Sequence, residues 1–134
     1  MKKLLILILA VMLSLCACGK KEVSTVKTIE NHYVKILKTE DSAVIRNEIS
    51  ALKTLTNDTS ITDEERLYAQ YTYNIGYGVA KLYLSGKAIS MFDFPEIEIF
   101  SAMIVSRGKN EIEITKDMVS ESNKFVEKVE KFLK

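Results

Sequence analysis

The residues able to carry chemistry are few. The chain has one histidine, His32, and two cysteines, Cys16 and Cys18. A His-Glu-x-x-His motif is absent, so zinc sites built from histidine and cysteine are excluded. Gly76-Tyr77-Gly78 lacks the third glycine of a dinucleotide loop, with Lys81 in its place. Gly86-Lys87 lacks the upstream glycine of a phosphate loop, and Ala88 replaces the required hydroxyl. No Gly-x-Ser-x-Gly elbow occurs, and nothing near His32 supports a Ser–His dyad. The remaining candidates are two carboxylates. Helical projection places Glu30 near Val34 and Leu37, and Glu48 between Leu52 and Leu55, inside apolar arcs. A buried carboxylate without a partner is costly, so each must reach solvent, a tyrosine or a cation such as Arg66. Converging within about 5–10 Å, the pair could do acid–base chemistry or bind a cation. Structural satisfaction is the plainer reading, and we prefer it. For His32, a half-exposed helix position is likewise preferred to a general base or pH-sensitive contact.

The elements that must position these groups read as helices. Val26, Ile29, Tyr33, Ile36 and Leu37 predict an amphipathic helix over about 25–38. Val44, Ile45, Ile49, Leu52 and Leu55 predict a second over about 41–56. Asn57-Asp58-Thr59-Ser60 reads as a loop. Thr62-Asp63-Glu64-Glu65 is a capping box with acids where the helix dipole favours them. It opens a helix running to about Leu84 and ending at Ser85-Gly86. That helix is apolar on most sides, with a small-residue strip of Ala69, Thr72, Gly76 and Ala80 and a narrow polar stripe of Gln70, Asn74 and Lys81. Such a helix is usually central. It also holds five of the six tyrosines. Tyr73 and Tyr77 project together with Leu84, on the side away from Leu67 and Ile75. With Arg66 they are the candidate binding face, since tyrosine combines an apolar ring with a polar tip. Packing against a further helix is the plainer alternative.

Residues 96–114 admit two readings. Pro95 can open a helix with Ile97, Phe100, Met103 and Ile104 inward. A β-hairpin within 96–114 is the minor alternative, with Ile97 and Ile99 alternating with glutamates and Arg107-Gly108-Lys109-Asn110 as the turn. A lone hairpin is marginal, so the helix is preferred. From Thr115, a cap preceded by a staple residue Ile114, the chain reads as a last amphipathic helix. Glu127–Lys131 and Glu130–Lys134 stand there at favourable i,i+4 spacing. The expected fold is all-α, a small bundle of four to five helices. The single proline and five glycines argue for one domain over 25–134.

The first residues follow another logic. Lys2 and Lys3 precede an apolar or small run from Leu4 to Leu15. Spanning a bilayer takes roughly 20 apolar residues, and this run is shorter. It ends in Leu15-Cys16-Ala17-Cys18-Gly19, which resembles the lipobox of bacterial lipoproteins. The resemblance covers the first 19 residues only; no family is recognised for the rest. It implies a signal peptide over 1–17, cleavage before Cys18, and a diacylglyceryl group, with or without an N-acyl (palmitate-type) chain, on that cysteine. Residues 18–24 would then be a short tether. The implied location is the extracytoplasmic face of a cell membrane, and the implied partner is that membrane.

Removing Lys2 and Lys3 lowers the 19 basic residues to 17, against 18 acidic ones. A near-neutral domain carries no electrostatic footprint for nucleic acid. With Cys18 lipidated, no disulfide is available, and the core must hold the fold. No cofactor is expected beyond the covalent lipid, and no metal. The reading that follows is a non-enzymatic interaction or accessory module of the cell envelope, with an envelope protein as partner. The alternatives are a small envelope hydrolase or cation-binding protein using Glu30 and Glu48, and a binder of lipid or small apolar ligands.

Overall fold

A computed structural model describes residues 24–90 and 92–134. The expected signal peptide, Cys18 and most of the expected tether lie outside these residues. Five helices follow in order: α1 (Thr25–Lys38), α2 (Ser42–Thr56), α3 (Asp63–Leu84), α4 (Glu96–Gly108) and α5 (Lys116–Phe132). Among the described residues there is no strand. The hairpin alternative for 96–114 is therefore set aside. On a strand Ile97 and Ile99 would share a face; on α4 they part, Ile97 being 1 % and Ile99 60 % exposed.

Local chemistry starts each helix. Ser24, Asp41, Thr62 and Thr115 accept from backbone N–H groups of the first turns of α1, α2, α3 and α5. The Thr62–Glu65 capping box is fully formed. α4 follows Pro95 and has no side-chain cap. α3 ends at Ser85, and Gly86 turns the chain away at φ 73°.

α3 is the hub and packs on all four other helices. Its buried side chains, Tyr68, Tyr71, Ile75, Val79 and Leu82, join Ile29, Tyr33 and Ile36 of α1, Ile45 and Leu52 of α2, Ile104 of α4 and Phe125 of α5. The approaches are close where side chains are absent. A Cβ on Gly78 would stand 2.4 Å from the Phe125 ring, and one on Gly76 3.2 Å from Ile36.

Short connections make α1–α2 and α2–α3 antiparallel. The α1 N-terminus therefore lies at the same end as the 57–62 loop. Tyr68 near the start of α3 donates to the Ile104 carbonyl late in α4 (2.8 Å), so α4 runs antiparallel to α3. Lys128 of α5 meets Glu96 at the start of α4 (2.9 Å). The loop from Ser85 to Pro95 thus closes the end opposite the α1 N-terminus. The expected Glu127–Lys131 and Glu130–Lys134 pairs do not form. Such exposed pairs are worth only a few tenths of a kcal/mol.

Candidate functional site

The two carboxylates go to different places. Glu30 is 2 % exposed and accepts from Lys27 Nζ at 2.8 Å. Its carboxylate rests on the last turn of α4, where a Cβ on Gly108 would meet Glu30 Oε1 at 2.3 Å. Only glycine lets the acid lie there. Glu48 reaches across to α1, where its Oε1 lies 2.6 Å from His32 Nδ1. A carboxylate can only accept, so Nδ1 carries the shared proton. Positions 30 and 32 differ by about 200° around a helix. Glu30 and Glu48 therefore address different sides of α1 and do not form a dyad.

An imidazole oriented by a carboxylate is part of a general-base arrangement. Among the described residues no hydroxyl is bonded to the ring. The pair joins α1 to α2 in the partly buried seam between them. Other polar groups on this side are likewise engaged. Tyr33 OH and Ser101 Oγ are 2.7 Å apart in the core, and burial holds the Tyr33 phenol well above its usual range. Burial also raises Tyr71, to about 12. Arg107 stacks on Tyr68 and donates to Asn110 Oδ1 at 2.7 Å. Among the described residues one buried side-chain group, the Thr72 hydroxyl, has no hydrogen-bond partner.

Arg66 does not join the tyrosines. Its guanidinium donates to the carbonyls of Asp58 (3.0 Å) and Ile61 (2.8 Å) and to the Asp63 carboxylate. It clamps the α2–α3 loop. Asp58 is bound in turn to Ser60, and those hydrogen bonds hold its carboxyl below the usual range. Nor does the polar stripe of α3 stay together. Asn74 turns to α5, donating to Ser122 Oγ (2.8 Å) and Asn123 Oδ1 (3.0 Å).

Tyr73 and Tyr77 do stand together. Their rings stack with centroids 5.7 Å apart and planes 27° from parallel. Both are half-buried, and burial raises the Tyr73 phenol. Lys53 of α2 lies 5.9 Å from the Tyr73 centroid, and Lys81 lies 5.4 Å from that of Tyr77. Such contacts are worth about 0.5–1 kcal/mol at exposed sites. Beside Tyr77 an open groove of about 350 Å³ runs between α2 and α3. Ile45, Ile49, Ala80 and Leu84 give it apolar walls, and Arg46, Ser50 and Lys53 border it. No carboxylate lines it. Arg46, Lys53 and Lys81 form no ion pair among the described residues. Arg46 and Lys53 escape a reading that looks for catalytic types. Their available signal is a spacing of seven residues, two helical turns on one face.

Two further clefts carry charged side chains in their walls. One of about 400 Å³ lies between Arg66 and Lys116, and one of about 500 Å³ beside Arg107 and Glu111. Among the described residues no group of three or more His, Cys, Asp or Glu is placed to hold a metal ion. No described helix is long and apolar enough to cross a membrane. No protein family, curated protein or solved structure matches the chain.

Proposed function

We propose that the chain is a non-enzymatic interaction module of the cell envelope, tethered to the membrane through lipid on Cys18. Its contact surface is the α2–α3 face bearing Tyr73 and Tyr77. One observation carries this reading. The polar groups best suited to catalysis are consumed by packing, whereas the α2–α3 face keeps a stacked tyrosine pair, an apolar groove and three cations without ionic partners. Tyrosine and arginine around an apolar centre are enriched at protein interfaces.

The position of the tether suits that role. Cys18 precedes Ser24 by six residues, on the order of 20 Å when extended, so the α1 N-terminal end sits nearest the membrane. Leu84, Phe92 and Ile99, the exposed large apolar side chains among the described residues, lie toward the opposite end. α1 alone separates the two ends by about 21 Å. Anchoring would confine the module to a surface and raise its effective concentration for a partner there.

Cross-linking on intact cells, followed by purification and mass spectrometry, tests the reading. A protein captured by the native chain and lost by a Tyr73→Ala, Tyr77→Ala variant of unchanged helicity is the expected result. Capture of the same proteins by both would move the contact surface elsewhere, and capture of none would remove the module reading. The tether is tested separately. An alkyne analogue of palmitate should label the native chain and not Cys18→Ala, which should also leave the membrane fraction. Labelling of both would exclude Cys18 as the lipidated residue.

A further inference from the structure

We propose that the α2–α3 groove receives one amphipathic helix of a partner protein, apolar along its centre and acidic on both flanks. This deepens the interaction-module reading and rests on it.

Three features select that occupant. The first is charge. Arg46 and Lys53 stand on the α2 wall and Lys81 on α3, with no acidic residue lining the groove between. None of the three has an ionic partner among the described residues. An occupant that neutralises them carries acids on both sides of its buried stripe. The second is shape. Pockets for small ligands enclose most of the ligand surface. This groove, at about 350 Å³, is open to solvent. A rod laid lengthwise fills it, whereas a compact molecule would remain largely wet. The third is length and composition. From Ile45 to Lys53 the α2 wall rises about 12 Å, some two helical turns. Ile49 and the 38 % exposed Leu84 present apolar surface there, over the buried Ile45 and Ala80. A helix with apolar residues at i, i+3 or i+4, and i+7 matches it, as in helix-in-groove recognition. Tyr77 would close one side of the contact, its ring already held by Tyr73 and Lys81.

A display library tests this. Its members are helical peptides with apolar residues at i, i+3, i+4 and i+7 and all flanking positions randomised. The bait is the full chain made in its native type of cell, lipidated if it is so modified, and held in nanodiscs, because detergent would compete for the groove. The expected result is enrichment of Asp and Glu on both flanks. Selected peptides should bind at least about tenfold more weakly to Lys53→Glu, Lys81→Glu, and also to Ser50→Trp, which fills the groove without changing charge. Raised salt should weaken them as well. Selection of no peptide, selection without acidic flanks, or binding that survives Ser50→Trp would each overturn the proposal. So would self-association of the chain that Ser50→Trp abolishes, since a second copy would then be the occupant. If cell cross-linking still loses its partner with Tyr73→Ala, Tyr77→Ala while the library fails, the interaction module stands and only this choice of occupant falls.

Discussion

The two seams of α2 differ in how they treat polar side chains. Toward α1, Glu48 is closed onto His32 at 2.6 Å. Beyond α1, Glu30 is pressed onto Gly108, and Tyr33 is bound to Ser101. Toward the outer edge of α3, Arg46, Lys53 and Lys81 remain without ionic partners beside two stacked tyrosines. The closed seam resembles a core with polar fastenings. Leaving any of its groups unpaired has a desolvation penalty. The open seam makes little use of its polar groups for stability. The contrast separates residues that hold the fold from residues that remain available.

The largest effect that would sharpen this contrast is alkaline unfolding. Tyr33 and Tyr71 are held above the ordinary phenol value of 10, Tyr71 at about 12. Their contribution is fully present below pH 10. Above it the unfolded chain loses protons that the folded one keeps, so stability falls by about 1.4 kcal/mol per pH unit for each. Loss of helical circular dichroism between pH 10 and 12 should coincide with ionisation of these two tyrosines. Ionisation before unfolding would mean that the closed side is open to water.

Next is Gly78→Ala. The added methyl would stand 2.4 Å from a ring that is itself buried. We expect a loss of about 1–3 kcal/mol in denaturant unfolding. An unchanged midpoint would show that Phe125 swings aside freely. Tyr33→Phe should cost a similar amount or less, about 1–2 kcal/mol, because it leaves the Ser101 hydroxyl buried and unpaired. Adding Ser101→Ala should recover part of that loss, and strict additivity would disprove the coupling. Thr72→Val should instead stabilise by about 1 kcal/mol, since that hydroxyl has no partner to lose. A destabilised variant would mean that the hydroxyl is satisfied after all. The smallest effect belongs to the open seam. Lys53→Ala with Lys81→Ala should move stability by no more than about 0.5–1 kcal/mol each, the worth of their ring contacts. A larger loss would erase the distinction between the two seams.

Much of the fold was legible from local pattern. Thr62 with Glu65, and Thr115 with its first turn, announce helix starts because a cap involves residues only three apart. α3 could be recognised as the hub because few of its sides are polar. The candidate site was less legible. Tyr73 and Tyr77 are four residues apart on one helix, so their meeting followed from helical geometry alone. Glu30 and Glu48 both fall in apolar arcs, but an arc does not say which neighbouring helix a side chain faces. A better guide was the α1–α2 turn: His32 and Glu48 are equidistant from Glu40, which places them level in an antiparallel pair. Arg66 could be placed near the start of α3, but nothing local distinguished a loop clamp from part of a binding face.

By itself, then, the sequence determined a bundle of four to five helices, the caps at Thr62 and Thr115, the centrality of α3 and the shared face of Tyr73 and Tyr77. Each depends on periodicity or hydrogen bonding within one or two turns. Tertiary structure alone decided that Glu30 would lie on Gly108, that Lys128 would meet Glu96 of α4, and that the cations of α2 would border a groove beside Tyr77. Those outcomes depend on how helices distant in sequence cross. A shift of one residue in that crossing rotates a side chain by about 100°, enough to exchange one partner for another.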